Sequence, residues 1–158
     1  MRTLMRRQVL KIVGGMALSP WSPPAASAQA DGVEQTVAAL LAATEEGSIL
    51  QIDLEDLCHT LKLCGRSPVS FTVTNHDADK VLDACRDALA QMPSHGVKAA
   101  VVVCSGNGKN FRLTNCAEVF RVVQHAMYES AYLVFGLVSD PTLVDVMRVS
   151  WLAGVPDG

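Results

Sequence analysis

The sequence is poor in aromatic residues and in charge, and it has no long apolar run. Aromatic side chains make up 5% of the 158 residues and charged ones 18%, whereas apolar residues make up 49%. This balance is typical of a globular chain with an aliphatic core and excludes a disordered one. The length suits one domain. No stretch of 18 or more apolar residues occurs, so we expect no stable membrane span.

Cysteine and histidine are present, but without a metal-binding pattern. The five cysteines form no C-x-x-C pair, and the histidines lack ligand spacing, so we expect no metal and no cofactor. The thiols lie in apolar patterns and should act as small hydrophobic residues, although a disulfide of unknown pairing stays open. Cys58 and His59 are adjacent on a helical pattern, where their side chains diverge by about 100°. That divergence disfavours a catalytic Cys–His dyad.

The first 28 residues have the order of a signal peptide. A basic start precedes a moderately apolar stretch and a Pro- and Ala-rich segment that ends in Ala-Ser-Ala at 26–28. Arg6 and Arg7, followed by one residue, two apolar residues and Lys11, match the twin-arginine export motif. We therefore predict a signal peptide over 1–28, cleavage after Ala28, and a periplasmic or secreted domain over 29–158. If the two arginines are fortuitous, the protein is cytoplasmic.

The charge of the chain argues against nucleic-acid or lipid partners. The first 28 residues hold four basic side chains and no acidic one. The remainder therefore has nine basic against 16 acidic residues, a formal charge of −7. An acidic domain has no electrostatic footprint for nucleic acid or anionic lipid.

Hydrophobic periodicity predicts an α/β (α+β) fold. Two helical patterns, 33–44 and 54–63, lead the chain. From residue 69 the order is strand, helix, strand, helix, strand, strand, over 69–74, 77–92, 97–104, 115–127, 131–139 and 144–154. This order predicts a two-layer sandwich: a four-stranded mixed sheet with two helices on one face, plus the leading helical segment.

Two local patterns give sharper expectations. Residues 69–74 alternate apolar and hydroxyl side chains, which predicts a strand buried on one face only. Asn115, with Glu118 three residues later, predicts a helix N-cap. The segment SGNGKN, 105–110, lacks the G-x-x-x-x-G-K-[ST] spacing of a phosphate loop and is expected to be a structural turn.

Three stretches of the sequence are informative when they are taken together. Residues 129–154 read ESAYLVFGLVSDPTLVDVMRVSWLAG, and the features that matter are Phe135-Gly136, Asp140, Leu143, Asp145 and Arg148-Val149. This run resembles the end of the C-terminal domain of the bacterial cell-division GTPase FtsZ, a tubulin homologue. Residues 97–123 are similar to the preceding strand, Gly-rich turn and helix. LQIDLEDL, 50–57, is similar to the synergy loop of that family, usually Asn-x-Asp-Phe-x-Asp-Val.

The resemblance covers roughly 34–154 and implies a partner-facing loop. In the family, two synergy-loop aspartates reach into the nucleotide pocket of the next subunit, and Asp53 and Asp56 stand in those positions. Gln51 replaces the usual Asn, and Leu54 the usual Phe. The Gly-rich phosphate loop of the GTPase half is not found before residue 33. We therefore expect no GTP binding by the chain alone.

Ordinary helix capping explains the same aspartates without a partner. Asp53 suits an N-cap, and Asp56 falls at the third helical position, where a carboxylate can bond the backbone N–H of the cap. Each contribution is worth roughly 0.5–2 kcal/mol. Whether the two residues contact a partner or only begin a helix stays open.

The sequence thus favours a non-enzymatic, exported module for protein–protein association or self-association. The partner-contact candidates are Gln51, Asp53 and Asp56. One alternative is a small-ligand-binding domain of the cell envelope, and another is a cytoplasmic modulator of a full-length FtsZ-like partner. A third is an enzyme that uses Asp53 and Asp56 as a carboxylate pair.

Overall fold

A computed structural model describes residues 2–16, 19–20, 29–30, 33–92, 97–127 and 131–154. Within these ranges lie five helices: α1 (Arg2–Gly14), α2 (Val33–Ala42), α3 (Leu54–Leu63), α4 (Ala78–Ala90) and α5 (Leu113–Ala126). The strands are β1 (Ser19–Pro20), β2 (Gln29–Ala30), β3 (Val69–Asn75), β4 (Ala99–Gly106), β5 (Tyr132–Ser139) and β6 (Met147–Gly154). The predicted cleavage site at 26–28 lies outside the described residues.

Four long strands form a mixed sheet in the order β3-β6-β4-β5. β6 is antiparallel to both β3 and β4, whereas β4 and β5 are parallel and are joined through α5. β1 and β2, of two residues each, pair with the outer side of β3. The predicted α/β class and four-stranded mixed sheet are confirmed.

One face of the sheet is covered by α4 and α5, as the sequence predicts. Each helix turns an apolar stripe inward, because its small and aliphatic residues recur every three or four positions. The buried residues of the two helices are Val81, Ala84, Cys85, Ala88, Leu89, Cys116, Val119 and Val123. They pack on Phe71 and Trp151, whose rings stack with centroids 4.2 Å apart. We call this side the α4/α5 face.

The leading helices α2 and α3 cover the opposite side, which we call the α2/α3 face. β4 therefore has no exposed side: Val102 belongs to the α4/α5 face, and Val101 and Val103 belong to the α2/α3 face. A buried Val or Leu side chain contributes about 1.5–3 kcal/mol. Helix α1 in turn packs on α3, with Val9 buried.

The prediction that residues 69–74 are buried on one face only is wrong. Ser70 and Thr72 are as buried as Phe71, because α2 lies over them. Their hydroxyl side is satisfied internally: the Thr36 and Thr72 Oγ1 atoms are 2.6 Å apart, and Thr72 Oγ1 donates to Ser150 Oγ at 3.0 Å. The polar half of the pattern thus faces a helix rather than solvent.

The predicted N-cap at Asn115 is also wrong. Helix α5 begins at Leu113, and the N–H groups of Asn115 and Cys116 both donate to the carbonyl of Arg112, at 3.0 and 3.2 Å. Cys116, in the first turn of α5, is buried in the α4/α5 core. Within the described residues Arg112 makes no side-chain capping bond.

Residues 107–110 form a turn after β4, as expected, but residues 105 and 106 of the predicted turn belong to the strand, which extends to Gly106. Gly108 has φ +83, and a Cβ there would lie 2.3 Å from Oδ1 of Asp145. The Lys109 N–H donates to that same carboxylate at 3.2 Å, and Asn110 Nδ2 donates to the Asp145 carbonyl at 2.8 Å. The turn is thereby fastened to residues 140–146, so β6 begins at Met147 rather than at 144.

Candidate protein-interaction loop

Residues 45–53, which we call the interaction loop, join α2 to α3 and are fastened to the edge strand β5. The Leu50 N–H donates to the Leu137 carbonyl at 3.1 Å, and the reverse bond measures 3.0 Å. The Ile52 N–H donates to the Ala43 carbonyl at 2.8 Å. Gly136 makes this close approach possible, because a Cβ there would lie 2.9 Å from both Ala43 Cβ and Ile52 Cδ1. The Phe-Gly pair noted in the sequence therefore has a packing reason.

Gln51 is exposed, but its amide supports the loop. Its Nε2 donates to the Thr44 carbonyl at 2.9 Å, across the turn that Gly47 makes with φ +91. This bond fixes the direction of the side chain. The bond uses one of the two Nε2 hydrogens, and the side chain stays exposed.

Asp53 caps α3 as the sequence predicts. Its backbone is extended, with φ −68 and ψ 136, and its Oδ1 accepts from the Glu55 N–H at 2.7 Å. A carboxylate here also sits at the positive end of the helix dipole. The side chain is exposed, so the second carboxylate oxygen faces outward.

Asp56 does not complete the capping box that its position suggests. It is exposed, and in the part of the chain that the structure describes its carboxylate has no hydrogen bond or ion pair. The cap consists of the Asp53 side chain alone, which accepts from the Glu55 N–H. Asp56 therefore presents a bare negative charge one turn into α3, beside Asp53 and Glu55.

Two exposed aliphatic side chains, which were not predicted from the sequence as contact residues, lie beside these carboxylates. Ile49 is 51% exposed and Leu50 is 44% exposed. Their adjacency gives part of the signal: successive side chains of an extended segment point to opposite sides, so at least one of the two must face away from the core. The loop thus presents an apolar tip with an acidic rim, a composition typical of protein interfaces.

The neighbouring Cys58–His59 pair does not form a nucleophile. Cys58 is buried, and that burial raises the pKa of its thiol, with Lys62 opposing in part. His59 is exposed and meets the Tyr132 ring edge-on, with centroids 5.0 Å apart. A reactive cysteine needs a lowered pKa and access to solvent, and Cys58 has neither.

The remaining sequence candidates occupy ordinary positions. All five cysteines are free and buried. His76 and His125 are exposed, and His95 lies outside the described residues. Over the ranges described, no group of three His, Cys, Asp or Glu residues could hold a metal ion. Trp151 belongs to the core and is fully buried.

The export-motif arginines lie on α1. Arg6 forms an ion pair with Glu45, at the start of the interaction loop, at 2.7 Å, and Arg7 is exposed. None of the described helices has both the length and the apolar character to cross a membrane.

The fold is similar to part of several solved structures of FtsZ, CetZ and TubZ. An FtsZ mutant from M. jannaschii matches 77% of this chain with a TM-score of 0.65 at 17% sequence identity. CetZ from Methanosaeta thermophila matches 80% with a TM-score of 0.58 at 13% identity. A GTPγS-form protofilament of TubZ from Bacillus thuringiensis serovar israelensis matches 68% with a TM-score of 0.52 at 12% identity.

These matches involve 37%, 36% and 30% of the three solved chains, so the protein spans about a third of their length. Identities this low establish a shared fold and nothing about activity. No protein-family model and no curated protein matches the sequence. The resemblance noted in the sequence is thereby confirmed for the fold.

Proposed function

We propose that the protein is an exported, non-enzymatic module for protein–protein association, related to the C-terminal domain of FtsZ. The observation that carries the proposal is the interaction loop: a rigid segment of an FtsZ-like fold that presents exposed Gln51, Asp53 and Asp56. Two of the solved structures with this fold are a dimer of FtsZ and a protofilament of TubZ, which supports self-association or an FtsZ-like partner.

Pre-organisation of the loop supports an association role. Backbone bonds to β5 and the amide of Gln51 hold the loop before any partner arrives, so binding would order few additional groups. Exposed Ile49 and Leu50 supply apolar area, and the carboxylates supply charge selectivity. On this proposal the partner presents basic groups around an apolar recess.

The proposal assigns no catalytic role to Asp53 and Asp56. Asp53 is engaged as a cap, and a carboxylate pair acts on a nucleotide only where something presents one. Purified protein should neither bind nor hydrolyse GTP. Measurable turnover would overturn the non-enzymatic assignment.

Association is tested by sedimentation of the full chain, alone and with a full-length FtsZ-type protein. The variant to compare combines Asp53→Asn with Asp56→Asn, because Asn keeps the N-cap while both charges are lost. We expect a complex with the wild type and weaker association with the variant. The matched control is Asp87→Asn, an exposed carboxylate on α4. Equal association of all three proteins would exclude the loop as the contact.

Export is tested by cell fractionation and N-terminal sequencing. We expect a mature form that begins after Ala28, in the periplasm or medium. Replacing Arg6 and Arg7 together by Lys should keep the protein inside the cell. A wild-type protein found intact in the cytoplasm would favour the modulator of an FtsZ-like partner instead.

A small-ligand-binding role of the uncleaved chain is the second candidate, because a cleft of about 730 Å³ lies between α1 and α3; cleavage after Ala28 would remove the α1 side of this cleft. Apolar Ile12, Met16 and Leu61 contribute to its lining, as do several cationic side chains. Amphipathic anions suit that chemistry. A rise in Tm with such compounds, in the absence of any association, would favour this candidate.

A further inference from the structure

Helix α1 is built to dock on its own domain. Its residues Val9, Ile12 and Val13, with Met16 just beyond its end, follow the i, i+3, i+4, i+7 spacing of one helical stripe. Val9 belongs to the α2/α3 core, and the other three are partly buried and pack against it. Val9 is 1% exposed, whereas its neighbour Leu10 is 50% exposed. The helix therefore has one buried side and one free side.

An ion pair helps to orient this helix. Arg6 Nη1 lies 2.7 Å from Glu45 Oε1, and both side chains are 45% exposed. Exposed pairs of this kind are weak, so the apolar stripe holds the helix and the ion pair orients it. Arg6 lies one turn before Val9, on the same side of α1.

These contacts involve the export motif itself. Of the residues that define the motif, Arg6 is paired with Glu45 and Val9 is buried against the domain. A receptor that reads two arginines and the apolar residues after them needs those same groups. One side chain cannot be enclosed by both proteins at once.

We propose that the folded domain masks its own export motif, so that docking of α1 and recognition by the export receptor are mutually exclusive. This inference rests on the exported role proposed above. It adds a switch: release of α1 from α3 becomes the step that commits the protein to export.

Like charges keep the docked state from being too stable. Arg7 and Lys11 of α1 share one cleft with Lys62 and Arg66, and no acidic residue is found among the described residues that line it. Cations that share a cleft repel one another, and this repulsion favours the undocked helix. Docking is thus favoured by apolar burial and opposed by charge, as a reversible switch requires.

Docking is tested first with trypsin, which cuts after arginine and lysine. Cleavage after Lys11 in the purified full chain requires α1 to open, so a docked helix is protected. We expect Val9→Ser to raise the cleavage rate by about ten-fold or more, because a buried Val is lost. Leu10→Ser, at the exposed neighbour, should leave the rate unchanged. Equal rates in all three proteins would overturn the proposal.

Masking is tested by pulse–chase export in cells with a change on the domain side, which leaves the motif intact. Glu45→Lys should export about two- to five-fold faster than the wild type, in line with the loss of one exposed ion pair. Asp87→Lys on α4 is the matched control for added charge and should export at the wild-type rate. Export of Glu45→Lys at the wild-type rate overturns masking even if trypsin protection is seen.

A charge swap separates the switch from the exported role. Arg6→Glu combined with Glu45→Arg should restore trypsin protection relative to Glu45→Lys, while it destroys the motif. If the trypsin pattern holds but no variant leaves the cytoplasm, the exported role fails and masking fails with it. If the variants that keep the motif intact are exported but the trypsin rates are equal, only masking fails.

Discussion

The two faces of the sheet are made from the same strands but are packed in different ways. The α4/α5 face is filled by aliphatic side chains, three thiols and the stacked Phe71 and Trp151. The α2/α3 face contains a buried hydroxyl chain, the fastened interaction loop and the docked helix α1. The first face mainly stabilises the fold, whereas part of the second face holds groups in position at the surface.

The difference has a physical cause. Apolar packing is non-directional, so the α4/α5 face needs only suitable volumes. Buried hydroxyl groups need hydrogen-bond partners at defined distances. Removing one hydroxyl group on the α2/α3 face therefore leaves its buried partners unsatisfied and destabilises the fold. Alterations on the two faces should therefore differ in kind as well as in size.

The largest effect should come from Trp151→Ala on the α4/α5 face. Trp151 is fully buried and stacks on Phe71, so its removal should lower the free energy of unfolding by about 3–5 kcal/mol. Urea unfolding measures the change. Leu113→Ala, at a side chain 61% exposed, is the control and should cost little. A loss below about 1 kcal/mol for Trp151→Ala would show that this face is not the main source of stability.

Alkaline pH should weaken the α2/α3 face through Cys64. Burial raises the pKa of the Cys64 thiol to about 12, with a backbone hydrogen bond at Gly154 opposing in part. The neutral folded thiol therefore contributes stability that is complete below the pKa of the unfolded thiol, near 8.5–9, and is lost as pH rises towards 12.

The measurement compares wild type with Cys64→Ala under reducing conditions. The difference in unfolding free energy should be constant at pH 7–8 and should fall by about 2–3 kcal/mol between pH 9 and 11. A difference that does not change with pH would mean that Cys64 is solvated in the folded state. Burial also raises the pKa of Cys85 on the other face, so Cys85→Ala should show the same direction.

Much of the fold could be predicted because its signals are local. Helix α4 is recognisable from the helical spacing of its apolar residues, and β4 is recognisable from its continuous apolar run. Asp53 could be predicted as a cap, since capping depends on neighbours two or three residues away. The order of elements then left few ways to pair the strands.

The parts that the sequence did not predict depend on tertiary packing. An alternating strand looks half-exposed, and nothing near Thr72 shows that α2 will cover it. Asn115 is a good local cap, but α5 begins at Leu113, and its first turn carries the buried Cys116. The exposed Ile49 and Leu50 follow from pairing with β5, which is distant in sequence.

An intermediate effect is expected from Thr72→Val in the hydroxyl chain. Thr72 donates to Ser150, so the Thr36 hydroxyl must donate to Thr72. The isosteric Val leaves both neighbours without this partner and should cost about 1–3 kcal/mol in urea unfolding. Adding Thr36→Val and Ser150→Ala should recover part of that loss, because all the polar groups are then removed. Strictly additive costs would mean that the three hydroxyl groups do not interact.

A smaller effect is expected at the start of α3. Asp53→Ala removes the bond to the Glu55 N–H and should cost about 1 kcal/mol. Asp53→Asn keeps a capping oxygen and should cost only a few tenths. Thermal unfolding of the two variants side by side measures the cap. If Asn were as damaging as Ala, the charge at the helix end would matter more than the hydrogen bond.

The smallest effect on stability should come from Asp56→Lys, and it separates the two roles that the sequence left open. Asp56 is exposed, and in the described part of the chain its carboxylate has no hydrogen-bond or ion-pair partner, so the change affects only the charge in the first turn of α3. That charge is worth about 0.3–1 kcal/mol, and relief of repulsion with Asp53 and Glu55 offsets part of it. Reversing its charge should nevertheless weaken association in sedimentation, because basic groups of a partner would meet a cation. Stability lost with association intact would make Asp56 part of the helix start after all. Association lost with stability intact would make it a contact residue and give the α2/α3 face the functional role argued above.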